Sequence, residues 1–201
     1  MKKLFNKISL FFLTIISIVS CATFPKAIVI PNTISEKNIN SLNGIYAIKE
    51  INRSSLTDST SFSFSKTDIG FNRTIFDEID SRLFAKPVEI DSSESYSFEL
   101  KILNSKRIEL HYLENEKTIR KHIIKYKIKD DGYLYLKNRN FKIKGIPYLF
   151  GEFNIKKNRI SLNKENNLIF ESSEFSSGGL VLLMVYPIAK AKYQKIYKRI
   201  E

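Results

Sequence analysis

The sequence predicts a mainly β protein, an antiparallel meander forming a barrel or strongly curled sheet with one short helix. Three observations predict it. Apolar and polar residues alternate with a period of two in several runs. The links between runs are short and rich in Asn, Asp and Gly. About ten strands joined in this way must also hide their edges, and closure does so.

Period two is what a strand needs when one face lies on a core and the other in water. Phe62 and Phe64 alternate with Ser61, Ser63 and Ser65. The same alternation runs through Tyr96, Phe98, Leu100 and Ile102, then Ile108, Leu110 and Tyr112, then Ile124, Tyr126 and Ile128. Turn signals stand at Asn104-Ser105, Asn115-Glu116, Asp130-Asp131-Gly132, Asn138-Arg139-Asn140, Lys157-Asn158 and Asn166-Asn167. Links this short permit hairpins, whereas parallel crossovers need a dozen residues or more.

One segment has helical spacing. Ile75, Phe76, Ile79 and Leu83 recur between Asn72 and Phe84, Thr74 with Asp77 resembles a capping box, and Lys86-Pro87 stops the run. Asp77, Glu78 and Asp80 fall opposite its apolar stripe and are expected in water. Near the C-terminus, Gly179 to Tyr186 is almost wholly apolar but too short to span a bilayer, and reads as a buried strand. Residues 190–201 fit a strand with Tyr193, Lys195 and Tyr197 on one face, or a helix with Ala189, Tyr193, Ile196 and Ile200 together. Plentiful Tyr and Ile, and no visible cap, favour the strand.

The N-terminus carries an address. Lys2, Lys3 and Lys7 precede the apolar stretch Ile8 to Val19, the pattern of a secretory signal too short to be a membrane span. Ile18-Val19-Ser20-Cys21 resembles a lipobox, and the resemblance implies a lipoprotein: a signal peptide over 1–20, cleavage before Cys21, and diacylglycerol on its sulfur with a palmitate-type acyl chain on the new amine. Each buried methylene contributes about 0.8 kcal/mol, so two or three acyl chains hold where one barely does. Cys21 is the only cysteine. A lone thiol would otherwise have no disulfide partner in an oxidising compartment; the alternative is a soluble secreted protein whose cysteine lies near the cut by chance. Ala22 follows where Asp would redirect sorting, which by resemblance to Gram-negative lipoproteins implies the outer membrane, lipid-anchored and facing the periplasm. Residues 21–40, with Pro25 and Pro31, read as a tether, and 41–201 as one antiparallel β domain.

The net charge is +12 and stays strongly positive without the signal's three lysines. Nucleic acid is the usual partner of a basic chain, but export excludes it. An anionic membrane surface or another polyanion is the available partner; lysines on solvated strand faces explain the same balance.

The chemistry-bearing residues do not assemble into a site. The histidines are His111 and His122. A two-residue loop at Asn115-Glu116 pairs Tyr112 with Ile119 and Glu109 with His122, making the histidines diagonal neighbours beside Glu109. A slip of one residue puts them on opposite faces. They read as exposed residues, with no metal. Ser54-Ser55, Ser92-Ser93 and Ser172-Ser173 stand in clusters without an oriented base. Asp130-Asp131 reads as a solvated turn, and Gly178-Gly179 precedes a strand, not an anion-holding helix. Tyr126 and its flanking Lys125 and Lys127 point to opposite strand faces, so no base-stacking groove forms. No catalytic residue and no cofactor is expected.

Gly44-Ile45-Tyr46, at the start of the first strand, resembles the Gly-x-Trp signature of lipocalins, with Tyr in the place of Trp. That implies a barrel holding a small apolar or lipid ligand inside or at its mouth. Residues 42–187 are similar to small uncharacterised envelope lipoproteins in their meander, their Gly145-Ile146-Pro147 segment and their late Gly-Gly-aliphatic strand; this implies location and shape but no activity. The function expected is noncatalytic: a membrane-anchored structural or partner-binding role, as a component of an envelope complex. A lipocalin-like carrier is the alternative, and an enzyme stands third.

Overall fold

The computed structural model describes residues 24, 32–56, 74–79, 94–137, 141–146, 150–179 and 186–201. The signal over 1–20, Cys21, most of the tether, the Phe62–Phe64 strand, the 138–140 turn and the apolar run at 180–185 lie outside them.

Nine strands follow the alternating runs: β1 (Gly44–Ser55), β2 (Tyr96–Asn104), β3 (Arg107–Glu114), β4 (Lys117–Ile128), β5 (Leu134–Lys137), β6 (Phe141–Ile146), β7 (Phe150–Leu162), β8 (Leu168–Gly179) and β9 (Tyr186–Arg199). They form one sheet in the order β5-β4-β3-β2-β1-β9-β8-β7-β6, and β5 also pairs with β7. That extra pairing closes a ring of eight antiparallel strands, in which β6 continues the line of β5 along the same edge of β7. The expected meander is therefore a closed barrel. The one described α-helix, α1 (Ile75–Ile79), lies between β1 and β2, within the stretch whose spacing is helical.

The C-terminal segment is a strand. β9 pairs with β8 on one side and β1 on the other, which is the pairing that joins the two ends of the chain into the ring. Lys157-Asn158 is not a turn: it lies inside the thirteen-residue β7. Asn158 is there because its side chain is needed inside. Its amide donates to the Glu78 backbone carbonyl at 2.8 Å, and its carbonyl accepts from Ser172 Oγ at 2.9 Å.

The other described polar links do turn. Asn115 and Glu116 both take positive φ, 48° and 65°, as a two-residue hairpin between right-twisted strands requires. Gly132 has φ 77°, and a Cβ there would lie 2.7 Å from the Thr33 side chain. The Gly132 carbonyl accepts from the Ile34 N–H at 2.9 Å. Glycine is thus required both for its backbone and for the approach of residues 32–34. Gly132→Ala is expected to destabilise the protein by roughly 1–3 kcal/mol in urea denaturation. An unchanged midpoint would contradict this.

Among the described residues, large aromatic side chains pack inside the barrel. Tyr46, Phe98, Tyr112, Phe170 and Tyr197 are fully buried among Leu and Ile side chains. Tyr46 stacks on Phe98 at 5.4 Å between centroids, and Phe98 meets Tyr197 edge-on at 5.3 Å. A 3-10 turn (Ile39–Leu42) covers the end near the β2–β3 turn, with Leu42 fully buried and its carbonyl accepting from the Tyr46 hydroxyl at 2.9 Å. Helix α1 occupies the interior from the other end, where Phe76 packs edge-on to Tyr112 at 4.3 Å.

Candidate functional site

Among the described residues, four places concentrate chemistry: a charged cluster inside the barrel, a cation clamp on its outer wall, a histidine on another wall, and a pocket at one mouth.

The interior cluster is built from α1 and the inward faces of β7, β8 and β9. Glu78 is fully buried, against the expectation that its side of the helix faces water. The helix is enclosed, so the face opposite Ile75 and Ile79 also meets protein. The Asp77 side chain and Asp80 lie outside the described residues. Glu78 pairs with Lys156 and, at 3.1 Å, with Lys195, which is itself fully buried; the Tyr193 hydroxyl donates to it at 2.5 Å. Glu174 completes the group, 2.6 Å from Lys156 Nζ. Two lysines and two glutamates thus balance inside the barrel.

Burial pushes the Glu78 carboxyl up, but Lys156 and Lys195 outweigh it and hold the group below the usual carboxylate range. Burial lowers the Lys195 ammonium, and Glu78 offsets this only in part. Burial, with Glu78 and Glu174 alongside, raises the Tyr193 hydroxyl far above the usual tyrosine value. These shifts come from a satisfied, enclosed network. Glu78 and Lys195 have no exposed surface through which a substrate could reach them.

Sequence reasoning missed this cluster, although one signal was present. Alternation places Lys195 on the same face of β9 as Tyr193 and Tyr197, so a charge sits at a position that the period assigns to the core. A lysine there needs a buried partner.

On the outer wall, Arg159 of β7 is 2 % exposed. Its Nε and Nη2 each reach Glu171 Oε2 at 2.6 Å, and Nη1 lies 3.3 Å from Asp131. Asp131 is therefore a half-buried partner here; the solvated reading of the Asp130-Asp131 turn does not hold for it. The guanidinium lies 3.8 Å from the Tyr133 ring centroid and 4.4 Å from that of Phe24. Phe24 in turn meets Tyr135 edge-on at 5.7 Å. Three residues after Cys21, the chain is held on the barrel wall by a cation–π and aromatic contact. Further along, Asn32 donates to the Asn163 carbonyl at 2.7 Å.

The histidines do not meet. A bulge between Tyr112 and Leu113 shifts the β3–β4 register by one, so Glu109 faces Ile123 and Leu110 faces His122. The slip separates the two rings to opposite faces. His111 is not exposed either: at 5 % exposure it sits between Glu99, 2.9 Å from Nδ1, and Glu109, 2.8 Å from Nε2. The Glu109 carboxyl is held low chiefly by its hydrogen bond with His111. Among the described residues, no group of three or more His, Cys, Asp or Glu has the arrangement of a metal site.

The mouth pocket has a volume of about 350 Å³ and is lined by Ile39, Ile102, Leu103, Tyr126 and Ile128, with Glu36, Asn40 and Asn104 on its polar side. It lies beside the 3-10 turn.

Tyr46, the third residue of the Gly-Ile-Tyr signature, is fully buried with the Arg199 guanidinium 6.0 Å from its ring centroid. Arg199 donates to the backbone carbonyls of Ser41 at 3.0 Å and Asn43 at 2.5 Å, tying the last strand to the 3-10 turn. Burial raises the Tyr46 hydroxyl to about 12. Compared with protein families, curated proteins and solved structures, the chain matches none.

Proposed function

We propose that the chain is a lipid-anchored envelope protein whose barrel is a noncatalytic body, held close to the membrane by a strapped rather than a free tether. The observation that carries this reading is the seat of Phe24 on Arg159 and Tyr135. Phe24 is three residues beyond the lipobox cysteine, and three extended residues span at most about 11 Å. A lipid on Cys21 therefore leaves the outer wall at β5 and β7 within that reach of the headgroups. The charge-balanced interior supports a noncatalytic body, because Glu78, Glu174, Lys156 and Lys195 are paired with one another.

Cys21→Ser is the test. The variant is expected to lose palmitate labelling and to leave the membrane fraction or stall unprocessed, while the wild-type chain labels and sediments with membranes. A Cys21→Ser chain that still takes up palmitate would overturn the reading.

The mouth pocket favours a second reading, carriage of a small apolar ligand. Its volume reaches the lower range of small-molecule sites, about 300 Å³. A ligand carried there appears as added mass in native mass spectrometry of protein taken gently from its membrane.

A further inference from the structure

The outward residues of β4 are Ile119, Lys121, Ile123, Lys125 and Lys127: two isoleucines, three lysines and no acid. All five are exposed. Ile119 and Ile123 are 45 % and 52 % exposed, two of only five large apolar side chains so placed among the described residues. The neighbouring strands extend the charge. Lys125 faces Arg107 across β3 and Lys137 across β5, so three cations stand in one cross-strand row. Like charges directly opposite one another destabilise a sheet. The nearest acid on β3, Glu109 opposite Ile123, is engaged by His111. Lysines alternating with exposed aliphatic residues match an anionic lipid surface, the apolar side chains entering the headgroup boundary and the ammonium groups meeting phosphate.

The position of this wall supplies the second argument. Lys127 faces Tyr135 in register, and Lys129 lies 3.8 Å above the Tyr135 ring. Tyr135 is the residue on which Phe24 rests. The basic wall is thus one strand away from the clamp holding the chain just after Cys21.

We propose that the outward face of β4, with Arg107 and Lys137, docks on the anionic headgroups of the membrane that carries the anchor. This rests on the lipid-anchor reading above. Docked in this way, the barrel lies on its side, and β9, diametrically opposite β4 in the ring, faces away from the bilayer.

The test uses the lipidated protein purified from its own membrane. It is added to vesicles of phosphatidylcholine alone, or with phosphatidylglycerol, and flotation is combined with lysine acetylation read by mass spectrometry. Flotation with neutral vesicles reports the anchor, and acetylation reports the surface. The expected result is flotation with both kinds, with Lys121, Lys125, Lys127 and Lys137 acetylated several-fold more slowly on anionic vesicles. Lys49 and Lys198, exposed on β1 and β9, should react equally on both. High salt should remove the protection. Flotation with both vesicles but equal acetylation of the β4 lysines overturns the surface and leaves the anchor standing. Flotation with anionic vesicles only, with those lysines protected, overturns the anchor and supports the surface. Flotation with neither overturns both.

Discussion

Glu78→Ala is expected to lower the free energy of unfolding by about 3–5 kcal/mol, the usual loss when one partner of a buried ion pair is removed. The substitution leaves Lys156 and Lys195 with Glu174 as the remaining acid of the cluster, and Lys195 has no exposed surface through which to recover water. Glu78→Gln should move in the same direction, because an amide keeps the shape but not the charge. Pairing Glu78→Leu with Lys195→Met should recover part of the loss, since no buried charge is then left facing a missing partner across that bond. The pH dependence follows from the sign of the shift. The Glu78 carboxyl lies below its unfolded value, so its contribution is present above the ordinary Glu value of about 4.3. It is lost as pH falls through the lower folded value. Urea midpoints measured from pH 7 down to 3 should fall in that acid window for the wild-type chain. The fall should be shallower for Glu78→Gln. Equal slopes would contradict the account of the cluster.

Arg159→Ala is expected to have the second largest effect, about 3 kcal/mol, together with release of the tether. Glu171 is 3 % exposed and would be left with the Tyr133 hydroxyl at 2.8 Å and the Gln194 amide at 2.9 Å as donors. The Tyr133, Phe24 and Tyr135 rings would lose the cation they face. Limited proteolysis separates the two effects. Cleavage in residues 24–35 should speed up in Arg159→Ala. In Phe24→Ala the same cleavage should speed up with little change in the urea midpoint, because Phe24 caps the guanidinium but carries none of its charge pairing. Arg159→Lys should not restore the wild-type behaviour, as an ammonium cannot make both the Nε and Nη2 contacts to Glu171. Unaltered proteolysis in both alanine variants would show that the strap does not depend on this clamp.

Much of the barrel was legible in the sequence, because a half-buried strand writes its period of two directly into the chain. Tyr96 to Ile102, Ile108 to Tyr112 and Ile124 to Ile128 are strands whose alternate side chains turn inward. Closure itself rests on β5 meeting β7 over three residues, Leu134 to Leu136 against Asn158 to Ile160. Local periodicity carries no information about a pairing so distant in the chain. The reading failed wherever polar residues belong to the interior. Asn158 looked like a turn because Asn favours turns, and Glu78 looked solvated because a charge opposite an apolar stripe usually is. Both are inside because of partners that no local pattern reveals: Glu78 meets Lys156 and Lys195, 78 and 117 residues further along the chain, and Asn158 meets Ser172, its register partner on β8. The histidine pair failed by a single bulge, which no composition rule marks. Arg159 carries no mark in the sequence, because Phe24, Tyr133 and Glu171 converge on it from three separate segments.

A lipid at Cys21 that holds this barrel against a membrane is read in the intact mass of the protein extracted from that membrane. The expected mass is that of a chain beginning at Cys21 with diacylglycerol on its sulfur and an acyl group on its amine. A chain that retains residues 1–20 and an unmodified thiol would contradict the claim.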